Sequence, residues 1–398
     1  MHRRRTSHPP QLRVVWIMTG DLRPYRIPFL ERLAAHPGVV FEFFHGPTKE
    51  GSGAPSDTPE LGAMANRVTA MRAVRWPFGR KQVAWLFGTW QLLTGDFDVL
   101  ICQETVNNLS IWVLAFLHRF FGKRFVLHGW GYRPDNPRKR LSTTLRRLAR
   151  RVLLLTADAM LTYTDRGRIA CLALGIPQDR VFVSRNTLDT AKLQAIEGTI
   201  EDSEVSDLRQ MFTSENGALL LFVGRLQHVK RVDLLIDTVE LLRREGHRST
   251  LIVIGDGPER TLLEDRAAGV DSVRFVGAIY DERDLAPYFM AADLLVIPGR
   301  IGLTCVHAFS HGLPVVTASD DVMPQTPEYD YIEDGENGVI VEALTAPAFS
   351  RAIATLLADR AQLERLKTGA RKAADQLTMD QTVDGFLAAI RYATGRTH

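Results

Sequence analysis

An α/β protein of two doubly wound domains facing a central cleft is the fold class that the sequence predicts, on three observations. Short, β-rich apolar runs alternate with longer helix-compatible segments. Most of those runs are apolar on both faces, as strands of a parallel sheet covered on both sides are. The plan occurs twice along 398 residues, a length that suits two or three domains.

In the first half the strand candidates are "LRVVWIM", "VVFEFF", "DVLICQ", "RFVLHG", "AMLTYT" and "RVFVSRN". Helix-compatible segments such as 81–94, 107–121 and 138–157 separate most of them. Residues 47–60, "PTKEGSGAPSDTPE", read as a mobile loop. The second half repeats the plan with "LLLFVGR", "STLIVIGDG", "VRFVG", "DLLVIPG", "LPVVTA" and "GVIVE", and 346–392 reads as two or three helices. The polar stretch 191–216 reads as a linker. The expected division is therefore an N-terminal domain over 1–190, the linker, a C-terminal domain over 217–375, and a final helix over 376–398 that packs back on the N-terminal domain.

With 45% hydrophobic and 24% charged residues the composition is that of a globular protein. Three scattered, apolar-flanked cysteines argue against a disulfide framework. No apolar run approaches the roughly 18 residues that span a bilayer. The basic "MHRRRTSHPPQ" leads straight into a strand without the apolar stretch of a secretory signal, so a cytoplasmic protein is expected. Charge is uneven: residues 1–200 hold 29 Lys and Arg against 15 Asp and Glu, and the remainder holds 20 against 31. Such asymmetry points to different partners for the two domains.

Ligands of doubly wound sheets bind beyond the carboxyl ends of the strands, so those ends carry the candidates. In "LLLFVGRLQHVKRVDLLIDTVELL" a strand ends at Gly224, with Arg225 and Lys230 just before a helix pattern, an arrangement suited to an anion and equally to a solvated basic loop. In "VIGDGPER" a strand runs into Gly255 and Gly257, which permit a tight turn, and Pro258 suits the first turn of a helix. "DLLVIPGRIGLTCVHAFSHGLPVVTA" places His307 and His311 one helical turn apart, with Gly312 as the helix's C-terminal cap. Pro327 and Glu328 mark a helix start farther on.

The order of these motifs resembles the second domain of the retaining glycosyltransferases of family 4, the group 1 glycosyltransferases. The matching pieces are "FVGRLQHVKRVDLLIDTVELL", "LIVIGDGPER", "VRFVGAIYDERDLAPYFMAADLLVIPG", "GLTCVHAFSHGLPVVTASD" and "PEYDYIEDGENGVIV", over about 130 residues. The stretch "TYTDRGRIACLALGIPQDRVFVSRNTLD" resembles the end of that family's first domain. The resemblance implies the GT-B fold, with two Rossmann-like domains, and a nucleotide-diphosphate sugar donor held by the second. Gly224, Arg225, Lys230, Gly255 and Gly257 would bind the donor, with Gly299, Ile301, Gly302 and Leu303 of the "PGRIGL" turn. Arg225 and Lys230 match the pair that holds the donor diphosphate, and cations there stabilise the leaving group. Neither a metal nor a cofactor is then expected. The one D-x-D string, Asp96 to Asp98, begins a strand.

One departure stands out. The family usually has two glutamates separated by seven residues, and alignment on "GLPVV" sets Gly299 and His307 in their places. Three readings stay open: a transferase with a rewired pocket in which His307 contacts the donor, a nucleotide-sugar binder or sugar-nucleotide epimerase without transferase activity, and a metal site made of His307 and His311. For the metal site no third ligand is evident, and His311 suits a helix C-terminal dipole partner instead.

In the first domain "KRFVLHGWGYRPDNPRKR" delivers His128 to a strand end, where relatives place a histidine near the reacting sugar; a packed strand-end histidine is the alternative. Gly20, Asp21, Arg23, Tyr25 and Arg26 follow the first strand on the acceptor side, and Glu104 is a candidate base or acceptor ligand. Residues 137–155, "PRKRLSTTLRRLARRVLLL", form a cationic amphipathic pattern that suits either the inner face of an anionic membrane or a solvated outer helix. No nucleic-acid-binding motif accompanies the charge. The expected function is transfer of a sugar from a nucleotide-diphosphate sugar to a glycan or lipid-linked glycan, in bacterial surface polysaccharide assembly.

Overall fold

The apolar runs of the first half become the strands of a parallel sheet. In chain order the elements are β1 (Leu12–Met18), α1 (Ile27–Ala35), β2 (Val39–His45), β3 (Val68–Ala70), β4 (Ala73–Phe78), β5 (Lys81–Leu86), α2 (Thr89–Thr94), β6 (Val99–Gln103), α3 (Leu109–Leu117), β7 (Arg124–Gly129), α4 (Arg140–Thr156), β8 (Ala159–Thr162), α5 (Asp165–Ala173) and β9 (Val181–Val183). This computed structural model describes residues 11–18, 22–46, 61–78, 81–132, 140–213 and 217–396. The loop expected over 47–60 lies outside the described residues.

Seven strands form one sheet in the order β3-β2-β1-β6-β7-β8-β9, and β4 and β5 pair antiparallel beside it. Both faces of the sheet are covered, which is why its strands read as continuous apolar runs. On one face Ile17, Leu100 and Leu127 pack with Leu93 of α2, Leu114 of α3 and Leu153 of α4. On the other, Trp16 meets Phe29 of α1 and Phe386 of the chain's last helix. Each fully buried leucine or phenylalanine contributes about 1.5–3 kcal/mol.

The second half continues with α6 (Thr190–Glu197), α7 (Asp202–Phe212), β10 (Ala218–Val223), α8 (Val232–Arg244), β11 (Ser249–Ile254), α9 (Arg260–Arg266), β12 (Val273–Gly277), α10 (Glu282–Ala291), β13 (Leu294–Ile297), α11 (Thr304–Ser310), β14 (Val315–Ala318), β15 (Gly338–Val341), α12 (Ala346–Ala358), α13 (Arg360–Asp375) and α14 (Met379–Thr394). Its sheet is parallel in the order β12-β11-β10-β13-β14-β15. The chain divides into Met1–Arg185 with Asp380–His398, and Asn186–Met379. Within the first unit α14 is tied down by a bond from Ser184 Oγ to the Thr382 carbonyl (3.0 Å).

Two expectations need correction. Residues 191–216 are no linker: they contain α6 and α7, which belong to the second unit. A reciprocal cap between Glu201 and Glu204 starts α7. Arg209 of α7 bonds Asp293 at 2.9 Å, and Glu204 bonds Arg283 of α10 at 2.7 Å. The segment 81–94 is not one helix, because its first part is β5, paired in register with β4.

Both sheets have a topological switch point. In the second unit the chain leaves β10 toward β11 on one side and β13 toward β14 on the other, and ligands of open α/β sheets bind beyond the carboxyl ends of strands at such a point. In the first unit β1 and β6 stand in the same relation.

Candidate functional site

At the switch point of the second unit the loops pack backbone on backbone. A Cβ on Gly255 would sit 1.9 Å from the Gly224 carbonyl oxygen, and one on Gly299 would sit 2.1 Å from that of Val229. Gly257 is similarly close to Leu226, at 2.3 Å. These positions take glycine because no side chain fits between the strands of backbone. Hydrogen bonds lace the segment after β10 to both neighbouring turns. Leu226 N–H donates to the Asp256 carbonyl (2.9 Å), Gly299 N–H to Lys230 (3.0 Å) and Arg300 N–H to Val229 (2.9 Å). Pro258 precedes α9 within a turn rather than opening the helix as expected.

This lacing fixes two cations. Arg225 follows β10 half-buried, and its Nε is buried with no hydrogen-bond partner among the described residues. An unsatisfied buried guanidinium N–H is costly unless an anion completes it. Lys230 directs Nζ to the carbonyls of Arg300 (2.7 Å) and Ile301 (3.0 Å). Burial pushes its pKa down to about 8, only partly offset by the nearby Glu328. Arg231, the next residue, has φ 57°, the one positive value at a non-glycine among the described residues. A bidentate pair with Asp233 (3.0 Å) holds it there. Strain of this kind, about 1–3 kcal/mol, concentrates at functional loops.

The turn carrying Gly299, Ile301, Gly302 and Leu303 is held by residues that sequence reasoning missed. Gln325, almost wholly buried, accepts from Ile301 N–H (3.0 Å) and donates to the carbonyls of Gly299 (3.1 Å) and Ala318 (3.0 Å). Thr326 Oγ1 accepts from Gly302 N–H (2.9 Å). The signal was a Gln-Thr pair between Pro324 and Pro327, where a rigid backbone presents two polar side chains. Pro327 does open a helical turn, a 3-10 turn over Pro327–Tyr331, and Glu328 is buried in it, accepting from Asn186 Nδ2 at 2.5 Å.

His307 lies on α11 stacked against Phe289 of α10, ring centroids 4.4 Å apart. Its Nε2 is 3.0 Å from Glu282 Oε2, within ion-pair range but without the alignment of a hydrogen bond. Burial raises the Glu282 carboxyl pKa, but His307, with Lys192 and His311, more than offsets this, so the group sits below its ordinary value. Glu282 opens α10 after β12, so the pair stands at the carboxyl edge of the sheet. His311 caps the end of α11 and meets Glu197 of α6 at 3.0 Å. Burial lowers its pKa, with His307 adding to the shift and the Glu197 bond opposing it, and its side chain is a hydrogen-bond partner of that carboxylate. No group of three or more His, Cys, Asp or Glu that could hold a metal occurs among the described residues. Asp96 and Asp98 are both engaged by Arg13, the latter at 2.8 Å from its backbone N–H.

In the first unit Gly20 and Asp21 lie outside the described residues. Arg23, Tyr25 and Arg26 form or flank the turn before α1, and Arg26 Nε approaches the Tyr25 hydroxyl at 3.5 Å. His128 is 3% exposed, boxed by the rings of Trp16, Tyr163 and Phe386. Burial, with Arg26 nearby, pushes its pKa down to about 3, so the imidazole is neutral near pH 7. The geometry is that of the packed strand-end histidine. Glu104 needs a firmer correction as a base or acceptor ligand. Its carboxylate is buried against Arg150 of α4 and accepts from Gly131 N–H (3.3 Å), which anchors α4 to the β7 end. Glu104→Gln breaks this buried pair and is expected to cost about 3–5 kcal/mol. Thermal unfolding measures the loss, and an unchanged midpoint would free the carboxylate for other work.

Comparisons with known proteins address the second unit most directly. Residues 217–359 match the family of glycosyl transferases group 1. A D-inositol 3-phosphate glycosyltransferase of Geodermatophilus obscurus is 32% identical over 46% of this chain and 42% of its own length. Against four relatives of that name the chain spans under half of their length. One from Thermomonospora curvata is 23% identical over 92% of this chain and 89% of that protein. The solved structure of Anabaena Alr3699/HepE in complex with UDP superposes with a TM-score of 0.69 at 17% identity, covering 95% of this chain and 99% of that one. The chain thus has the GT-B fold, two α/β units with parallel sheets, and its residues 217–359 match the glycosyl transferases group 1 family.

Proposed function

We propose that this protein is a retaining, metal-independent glycosyltransferase that moves a sugar from a nucleotide-diphosphate sugar to a glycan or lipid-linked glycan. The observation that carries the reading is the pair Arg225 and Lys230 at the switch point, one with an unpartnered buried N–H and the other buried without a salt bridge among the described residues. A diphosphate supplies the oxygens both cations need, and a UDP complex of a protein with this fold supports the donor class. As the bond from the anomeric carbon to the diphosphate oxygen breaks, the two cations stabilise the charge that develops on the leaving group. The acceptor oxygen bonds the same carbon from the same face, and its proton passes to the departing diphosphate. This route requires no protein base, which suits a Glu104 already committed to Arg150 and a His128 closed in by aromatic rings. His307 and Glu282 meet the nucleotide ribose, the imidazole and carboxylate together taking the place of a single glutamate. The acceptor belongs to bacterial surface polysaccharide assembly, so peripheral contact with the inner face of the cell membrane is part of the reading.

The test is release of nucleoside diphosphate from UDP- and GDP-sugars, with and without glycan acceptors. Acceptor-dependent release with retained anomeric configuration is the expected result. Release or sugar interconversion with no acceptor would replace the transferase by a hydrolase or an epimerase.

A further inference from the structure

Among the described residues the first unit has an apolar outer face that no other element covers. In α4, Leu153 and Leu154 point to the core, while Leu145 (61% exposed), Leu148, Val152 and Leu155 face solvent. Their three- and four-residue spacing makes them one stripe on the side of the helix turned from the sheet. The neighbouring helices repeat this. α2 buries Leu92 and Leu93 but exposes Trp90, and α3 buries Ile111 and Leu114 but exposes Phe116, with Phe120 (84% exposed) just beyond. The inner residues of α2, α3 and α4 share one core cluster and α3 touches both neighbours, so the outer residues share one surface.

Charge indicates what covers this surface. α2 and α3 contain no charged residue, and α4 has five arginines and no acid. Arg150 is turned inward to Glu104, while Arg147 and Arg151 stand exposed, the latter with its Nε on the Leu174 carbonyl (2.9 Å). A second copy of the same face would set arginine against arginine, which charge complementarity disfavours. Anionic headgroups pair with arginines, and Trp, Phe and Leu enter the interfacial layer of a bilayer. We propose that the outer face of α2, α3 and α4 docks the protein on a bilayer containing anionic lipid. The inference rests on the membrane contact within the proposed function and names the side chains that make it, and it is independent of the donor site.

Co-sedimentation with vesicles tests it, using phosphatidylcholine alone and phosphatidylcholine with phosphatidylglycerol, at low and high salt. The wild type is expected to pellet with the anionic vesicles only and to be released by salt. The variant L145S/L148S/V152S should partition at least about tenfold less, and Arg147→Gln about fivefold less. All four positions face solvent, so circular dichroism and thermal melting should be unchanged. Failure of the wild type to bind anionic vesicles, or equal binding by the variants, would overturn the proposal. So would a wild-type dimer that the serine variant turns into monomers, since that assigns the face to a second copy. A thermal shift with UDP, run in parallel, separates the two readings. If the shift occurs without vesicle binding, only the docking surface is lost; if vesicles bind without a shift, only the donor site is.

Discussion

Replacing Arg225 with alanine, or Lys230 with methionine, is expected to remove most of the protein's affinity for nucleoside diphosphates. UDP should raise the thermal midpoint of the wild type, because a ligand that binds only the folded state stabilises it by RT ln(1 + [L]/Kd). A hydrogen bond to a charged group contributes about 1.5–3 kcal/mol, so each variant should bind UDP about ten- to hundredfold more weakly. Loss in kcat should be larger, about 10²–10³-fold for each cation, because charge on the leaving diphosphate peaks in the transition state. Methionine keeps the Lys230 stem packed while removing the charge, so circular dichroism should report a folded chain. A UDP-induced shift that survives in both variants would place the nucleotide elsewhere.

The same site makes a pH prediction. Lys230 in the free protein has its pKa lowered to about 8 by burial. Below that pH the ammonium is already present and diphosphate binding takes up no proton. Above it the free protein has lost the proton, a bound diphosphate favours its return, and binding must include proton uptake. Affinity for UDP should therefore fall as pH rises past about 8, approaching a factor of about ten per unit. In Lys230→Met this dependence should vanish, and a persistent slope would assign it to another group.

How much of this was legible in the sequence differs between local and distant partners. Twelve of the fifteen described strands were readable because a sheet covered on both faces needs apolar runs, and the glycine turns at 224, 255 and 299 stood at their ends; β3, β4 and β5, at the edge of that sheet or outside it, were not. The two helices in 191–216 were not, since their partners, His311 and Arg371 for α6 and Arg283 and Asp293 for α7, come far later in the chain and the Glu201–Glu204 cap looks like a solvated acidic run. Glu104 looked available because nothing near it in sequence balances its charge, yet α4 returns Arg150 to it. His128 was read as a contact of the reacting sugar, with a packed strand-end histidine as the alternative, and the sequence could not decide because α14 supplies Phe386 from far along the chain to close its box. The amphipathic pattern of α4 was visible; that its leucine stripe faces outward was not, because periodicity shows a stripe without showing which side meets the sheet.

Restoring a glutamate at position 299 should damage the protein rather than improve it. The resemblance aligned Gly299 with a glutamate, so Gly299→Glu looks like a return to a more usual sequence. A Cβ at that position would lie 2.1 Å from the Val229 carbonyl oxygen and 2.6 Å from the Lys230 carbonyl carbon, both backbone atoms. No rotamer relieves such a contact, because the clash is with the first side-chain atom. The chain must instead part the lacing of Gly299 and Arg300 to Lys230 and Val229, and Lys230 then loses the carbonyls of Arg300 and Ile301 that hold its ammonium. Overpacking of this kind costs about 3 kcal/mol or more, and at about 2–4 °C per kcal/mol the midpoint should drop by about 6–12 °C. Since the Cβ alone causes the clash, Gly299→Ala should do nearly as much harm as Gly299→Glu, and both should blunt the UDP response. If Gly299→Glu instead melts like the wild type and turns over donor faster, the turn can yield, and the glycine is there for reasons other than the close approach of two backbones. If alanine is tolerated and glutamate is not, the damage comes from the carboxylate beside the diphosphate site and not from packing, a distinction that the pair of variants makes directly.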